Sequence, residues 1–139
     1  MLLASAFGVT WTAADVRRAL LDAADVPRTF VVSTDDALVA TASARLMPDT
    51  FPGSGYLHWV AVHPDYRGRR LGAVVSLAVL RFFGAIGCRD AVLETDAHRL
   101  AAIKTYLGLG FRPEPVEPDH VQVWSEILHA IGQRPDGTT

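Results

Sequence analysis

Apolar and polar positions along the chain follow two rhythms, and the rhythm changes wherever Gly and Pro gather. Val16, Ala19, Leu20 and Ala23 recur at helical spacing behind Thr12, an N-cap type, with Asp15 in the first turn. This spacing predicts a helix closing before Pro27. Two β-rich runs follow, Thr29–Thr34 and Leu38–Leu46, and Asp35 and Asp36 between them make a short polar link suited to an antiparallel hairpin. Met47–Gly55 holds two prolines and two glycines and reads as a loop, either a substrate contact or a plain connection.

Tyr56–Val62 lacks strong alternation, as expected of a central strand covered on both faces. After a turn crowded with Gly and Arg, Leu71, Val75, Ala78, Val79, Phe82, Phe83 and Ile86 form one broad apolar helix face, which Gly87 stops. Asp90–Thr95 is the next strand. Arg99–Leu109 is a shorter helix with Ala102, Tyr106 and Leu109 on one side and Gly110 as its C-cap. Phe111–Val116 is a short final strand that Pro113 and Pro115 confine to an edge. From Asp119, the spacing of Val123, Trp124, Ile127, Leu128 and Ile131 predicts a terminal helix ending at Gly132, with a frayed tail over 132–139. The order of elements predicts a mixed α/β (α+β) fold rather than a doubly wound one, and no repeat or composition break divides residues 1–139, so a single domain is expected.

Composition narrows the function. Half the residues are apolar and a fifth charged, which excludes a disordered chain. A formal charge of −2 gives no general pull toward nucleic acid or anionic lipid, so the basic cluster at Arg67, Arg69 and Arg70 is local. One cysteine, Cys88, permits no internal disulfide, and the apolar run Leu71–Cys88 is broken by Arg81. A cytoplasmic protein without secretion or membrane insertion is expected. His63, before Pro64, belongs to the turn, and His98, His120 and His129 show no metal-ligand spacing, so no metal is expected.

The strand, Arg-Gly turn and helix of Tyr56–Phe83 aim backbone N–H groups and a helix dipole at an anion. Gly68 permits a tight turn, and Gly72 lets a ligand approach the first helical turn. The sequence RGRR alone is equally a solvated basic loop. No Lys-Ser/Thr follows the second Gly, and GxGxxG is absent, which makes ATP and NAD poor candidates.

With these residues in view, VAVHPDYRGRRLGAVV resembles the acyl-CoA-binding segment of the GNAT acyltransferase superfamily: Arg or Gln, two residues, Gly, one residue, then Gly or Ala. AAIKTYLGLGF, Ala101–Phe111, resembles a second GNAT segment, in which Ala, a Tyr four residues later and Gly-Phe mark the helix after the fifth strand. The resemblance covers about Thr29–Phe111. It implies a mostly antiparallel sheet flanked by helices, with central strands splayed at an acyl-CoA cleft, here Tyr56–Val62 and Ala91–Thr95. Backbone of Val60, Ala61 and Val62 would pair with the pantetheine arm, and Arg67, Gly68, Arg69, Arg70, Leu71, Gly72 and Ala73 would hold the pyrophosphate. Arg99, Ala102 and Tyr106 would complete the cofactor contacts.

Several positions depart from the pattern. Arg70 stands where the family usually has its first glycine, which implies an αR-compatible turn leaning on side-chain charge. Arg99 replaces a common Asn. Only Leu2–Phe7 is available for the usual first strand, and the closing hairpin gives way to the Trp124 helix.

The implied activity is acetyl transfer from acetyl-CoA to a primary amine of a small molecule or peptide, by direct attack with general acid and base help and no metal. Tyr106 takes the family's acid position, although it also suits packing on an apolar helix face. Glu94, a carboxylate in an apolar strand, is the first choice of base, since desolvation would raise its pKa. His58 is the competing base by its intrinsic pKa, or a half-buried histidine bonded to a neighbour. Cys88, at the far end of the helix, is not expected to be a nucleophile. The alternative is a catalytically idle acyl-CoA sensor or assembly subunit. Nucleic-acid binding through RGRR lacks a wider basic surface or aromatic platform. Relatives often form homodimers, and the Trp124 helix reads as either an interface or a cover for the sheet. Trp59, Phe51 and the Met47–Gly55 loop are read as an apolar acceptor pocket or as packing groups.

Overall fold

The structure is a computed structural model that describes residues 25–34 and 37–132. The N-terminal helix, the Leu2–Phe7 strand, the Asp35–Asp36 link and the tail from 133 lie outside the described residues. The chain divides into two compact units, residues 1–93 and 94–139.

The first unit is built on a sheet of four strands in the order β1-β2-β3-β4. Strands β1 (Arg28–Ser33) and β2 (Leu38–Arg45) pair antiparallel from Arg28↔Ala44 to Ser33↔Leu38, the expected hairpin. β2 pairs antiparallel with β3 (Ser54–Val62), and helix α1 (Leu71–Ala85) then carries the chain to β4 (Asp90–Val92), which lies parallel to β3. Alternation along β2 divides its side chains between the two faces of the sheet. Ala40, Ala42 and Ala44 share one face with their β3 neighbours Leu57 and Val62. Thr41, Ser43 and Arg45 share the other with Ala61, His58 and Tyr56.

Helix α1 packs on the alanine face. Val75, Ser76, Val79 and Phe83 are its buried residues, and Phe30 of β1 meets Phe82 edge to face at 6.2 Å. A Cβ on Gly55 would lie 2.3 Å from the Phe83 ring, so strand and helix approach here as only glycine permits. The apolar face read from the sequence is corrected at two positions. Ser76 is fully buried within it, and Ile86, 46% exposed, lies past the last helical residue where the chain turns away. Gly87, at φ 87, ends the helix as expected: its N–H donates to Gly84 C=O and the Cys88 N–H to Phe83 C=O, a Schellman closure.

The second unit contains α2 (Leu100–Gly108) and α3 (His120–Ala130). Gly110, at φ 102, closes α2 in the same way, with the Phe111 N–H donating to Tyr106 C=O and the Gly110 N–H to Leu107 C=O. The strand expected at Phe111–Val116 does not form. The segment is irregular, as suits a stretch in which Pro113 and Pro115 remove two backbone donors. The terminal helix does form, with Ile127 and Leu128 buried and Gly132 just past its end. Among the described residues, no helix is long and apolar enough to cross a membrane.

Candidate functional site

β3 loses its partner midway. Its pairing with β4 runs only from Ser54↔Asp90 to Tyr56↔Val92, because β4 ends at Val92 rather than continuing to Thr95 as expected. From Leu57 to Val62 that edge of β3 faces no strand among the described residues. On its other side the register jumps between Thr41↔Ala61 and Ser43↔His58, so β3 carries one extra residue there. Trp59 sits in this bulge at φ 53, a left-handed conformation rare for a bulky side chain. No glycine marks the bulge, so nothing local announces it. Val60, Ala61 and Val62 follow directly, and alternate backbone groups of this stretch point away from β2 toward the open edge.

Past Val62 the chain turns through a short 3-10 segment, Pro64–Tyr66, capped by His63, whose Nδ1 accepts the Asp65 N–H at 3.1 Å. Gly68, at φ 80, supplies the expected tight turn. Arg70 corrects the expectation of an αR-compatible turn. It holds φ 61 and ψ 22, the left-handed conformation that a glycine would take at no steric cost. The first hydrogen bond of α1 runs from the Val74 N–H to Arg70 C=O. The N–H groups of Leu71, Gly72 and Ala73 therefore precede the helical ladder, and neither a side-chain cap nor an acidic residue occupies the first turn. Arg67, Arg69 and Arg70 are exposed around these donors, with Arg69 held over the Tyr66 ring at 5.0 Å. A Cβ on Gly72 would touch only Val62 at 3.6 Å, so the protein's own packing does not demand a glycine there. Donors, dipole and three cations fit a phosphate-bearing ligand.

In the second unit, Arg99 takes the N-cap position of α2, and Ala102 and Tyr106 lie one helical turn apart on it. Tyr106 is buried, its ring meeting Phe111 edge to face at 6.1 Å. Burial pushes its phenol above the ordinary value, opposed more weakly by Arg99, and the hydroxyl stays protonated at neutral pH. Glu94 is exposed and lies beyond the end of β4, so the argument that an apolar strand would desolvate it fails.

His58 is half-buried on the face of β3 opposite α1. Burial first, and then the charge of Arg45, push its pKa down to about 4 against a smaller opposing effect of Asp25. The argument from its intrinsic pKa is thereby overturned: the imidazole is neutral at pH 7 but a weak base. Arg45 donates through Nε to Asp25 at 2.6 Å and lies over the Tyr56 ring at 6.0 Å. Cys88 lies past the C-terminal end of α1, remote along the helix from the arginine turn.

Among the described residues, Glu117, Asp119 and His120 bring ligand-type atoms within 4.8 Å of one another. The His120 imidazole is already engaged at the start of α3: its Nδ1 accepts the Val116 N–H at 3.2 Å, and its Nε2 lies 3.8 Å from Glu117.

The acetyltransferase (GNAT) family model matches residues 2–111, and the chain belongs to this family. It is 36% identical over 87 residues to a mycothiol acetyltransferase of Saccharopolyspora erythraea, which covers 61% of this chain and 28% of that protein. It is 32% identical over 87 residues to N-acetyltransferase 8B of Rattus norvegicus, covering 60% of this chain and 38% of the relative. The chain thus spans well under half the length of these relatives. Among solved structures, AAC(6')-Iy with a CoA-containing bisubstrate analogue superposes with a TM-score of 0.69 at 22% identity, covering 84% of each chain, and shares the fold.

Proposed function

We propose that the protein is an N-acetyltransferase that moves an acetyl group from acetyl-CoA to a primary amine of a small molecule or peptide. The observation that carries this reading is the succession along one stretch of chain: a β3 edge that no strand among the described residues covers past Tyr56, the turn at Arg67–Arg70, and the uncapped first turn of α1. An extended arm suits the edge, and a pyrophosphate suits the turn. Val60, Ala61 and Val62 would hold the arm by backbone hydrogen bonds, and Arg67–Ala73 the phosphates. The left-handed Arg70 preserves the backbone shape of a glycine turn, which supports donor binding there.

The donor supplies a thioester. In the transfer, a bond forms between the amine nitrogen and the acetyl carbon while the carbon–sulfur bond breaks. The amine's proton leaves to a base, and the thiolate takes a proton from an acid. Tyr106, protonated at neutral pH, is the acid of this reading. Glu94 is exposed enough to pass a proton onward to water, and it is preferred as base to the poorly basic His58.

Calorimetry with CoA, run beside a thiol-release assay with acetyl-CoA and a panel of amines, tests the proposal. Binding together with amine-dependent release is expected. Binding without release from any amine would favour the sensor, and absence of both would overturn the reading.

A further inference from the structure

Four rings form a continuous series in the first unit. Phe51, in the loop before β3, stacks on Tyr56 at 5.8 Å; Tyr56 meets His58 at 5.9 Å, and His58 meets Trp59 at 5.5 Å and 63°. All four are half-buried rather than sealed in the core. The series enters β3 at Tyr56, where the strand is still paired with β4, and ends in the bulge, beyond the last β4 pair. If the phosphates occupy the turn after Val62, an arm running back along the open edge carries its thioester toward this end of β3. The rings therefore lie where an acceptor would wait.

The charges on the same face restrict what that acceptor is. Arg45 places its guanidinium beside Tyr56, 6.0 Å from the ring. Asp25 is already engaged by Arg45 and offers no unspent negative charge. His58 contributes no carboxylate and no charge at neutral pH. A polycation would meet the guanidinium of Arg45 beside Tyr56, whereas an apolar or aromatic body finds matching surface.

We infer that the Phe51–Tyr56–His58–Trp59 ring series is the acceptor wall of this protein, and that its acceptor is a primary amine borne on an aromatic or apolar body rather than a polycation. The inference rests on the acetyltransferase reading for the position of the thioester, but not for the chemistry of the rings.

The test compares tryptamine, butylamine and spermidine, measured both as acceptors and as ligands of the CoA-loaded protein by saturation-transfer NMR. Tryptamine is expected to exceed the other two in kcat/KM and in affinity by about tenfold, the scale of one or two aromatic contacts. In Phe51→Ala the ratio of tryptamine to butylamine should fall toward one. Phe51→Tyr should restore it, which separates a lost ring contact from a disturbed loop. Preference for spermidine, or an unchanged ratio in Phe51→Ala, would overturn the inference. Ring-dependent tryptamine binding without thiol release would support the acceptor wall while sinking the acetyltransferase reading. Thiol release without aromatic preference would do the reverse.

Discussion

Arg70 holds a left-handed backbone that costs an L-residue about 1–2 kcal/mol, and it does so at the N-terminus of α1 with its guanidinium exposed. Replacing it should separate strain from charge. Arg70→Gly is expected to raise the melting temperature of the ligand-free protein by a few degrees while weakening CoA binding about tenfold, the worth of one charge-assisted hydrogen bond. Arg70→Gln should weaken binding equally without the thermal gain, and calorimetry beside thermal scanning reads both. If CoA binds Arg70→Gly as tightly as wild type, the arginine is merely tolerated. His58 makes a second residue-scale prediction. Its folded pKa of about 4 lies below an unfolded value near 6.5, so between these values the unfolded chain binds a proton that the folded chain refuses. Stability should thus be full above about pH 6.5 and decline toward pH 4. Asp25, held low by its hydrogen bond to Arg45, adds a separate loss only below the ordinary carboxylate range. Urea midpoints measured from pH 7.5 to 4.5 should fall in wild type and flatten in His58→Gln.

The packing of α1 on the sheet turns on two glycines with different demands. A Cβ at Gly55 would meet the Phe83 ring at 2.3 Å, while one at Gly87 would meet nothing, although Gly87 sits at φ 87. Gly55→Ala should therefore cost about 1–3 kcal/mol through overpacking and Gly87→Ala about 1 kcal/mol through backbone conformation alone. A Phe83→Leu change should recover part of the first loss and none of the second, as chemical denaturation would show. The two sites also divide what the sequence could say. Gly87 was legible as a helix stop, because a glycine after an apolar periodic run has a local meaning, and the same logic located Gly110 and Gly132. Nothing around Gly55 announces a close approach, since that depends on Phe83, which lies far along the chain. Trp59 was illegible for a related reason: a bulge is a property of two paired strands, and a tryptophan at φ 53 contradicts its own local preference. The failure of the Phe111–Val116 strand shows the reverse. There Pro113 and Pro115 predict an edge strand, yet no strand forms and the segment is irregular. The site divided along the same line: the anion turn is contiguous in sequence and was readable, whereas the exposure of Glu94 and the lowered basicity of His58 depend on tertiary surroundings.

At the scale of the whole chain, in the acetyltransferase reading proposed above, donor binding would fall to Val60–Ala73 and proton donation to Tyr106, and kinetics should separate the two tasks. Tyr106→Phe removes the transferable proton but keeps the ring that meets Phe111. Turnover should fall about 10²-fold while CoA affinity stays within a factor of two or so of wild type. Arg67→Gln should do the opposite, weakening CoA binding and leaving turnover at saturating donor nearly unchanged. The pH dependence then distinguishes the bases. With its pKa near 4, His58 would give kcat/KM no limb between pH 5.5 and 7.5, so any limb found there belongs to another group or to the amine itself. If it persists in Glu94→Gln and moves with the pKa of the acceptor used, the protein selects the neutral amine from solution and needs no strong base of its own. That outcome would suit a chain whose two candidate bases are one exposed carboxylate and one imidazole held neutral. A limb lost in Glu94→Gln would instead identify that carboxylate as the base. Loss of CoA affinity in Tyr106→Phe equal to the loss of turnover would show that the tyrosine holds the donor rather than protonating it.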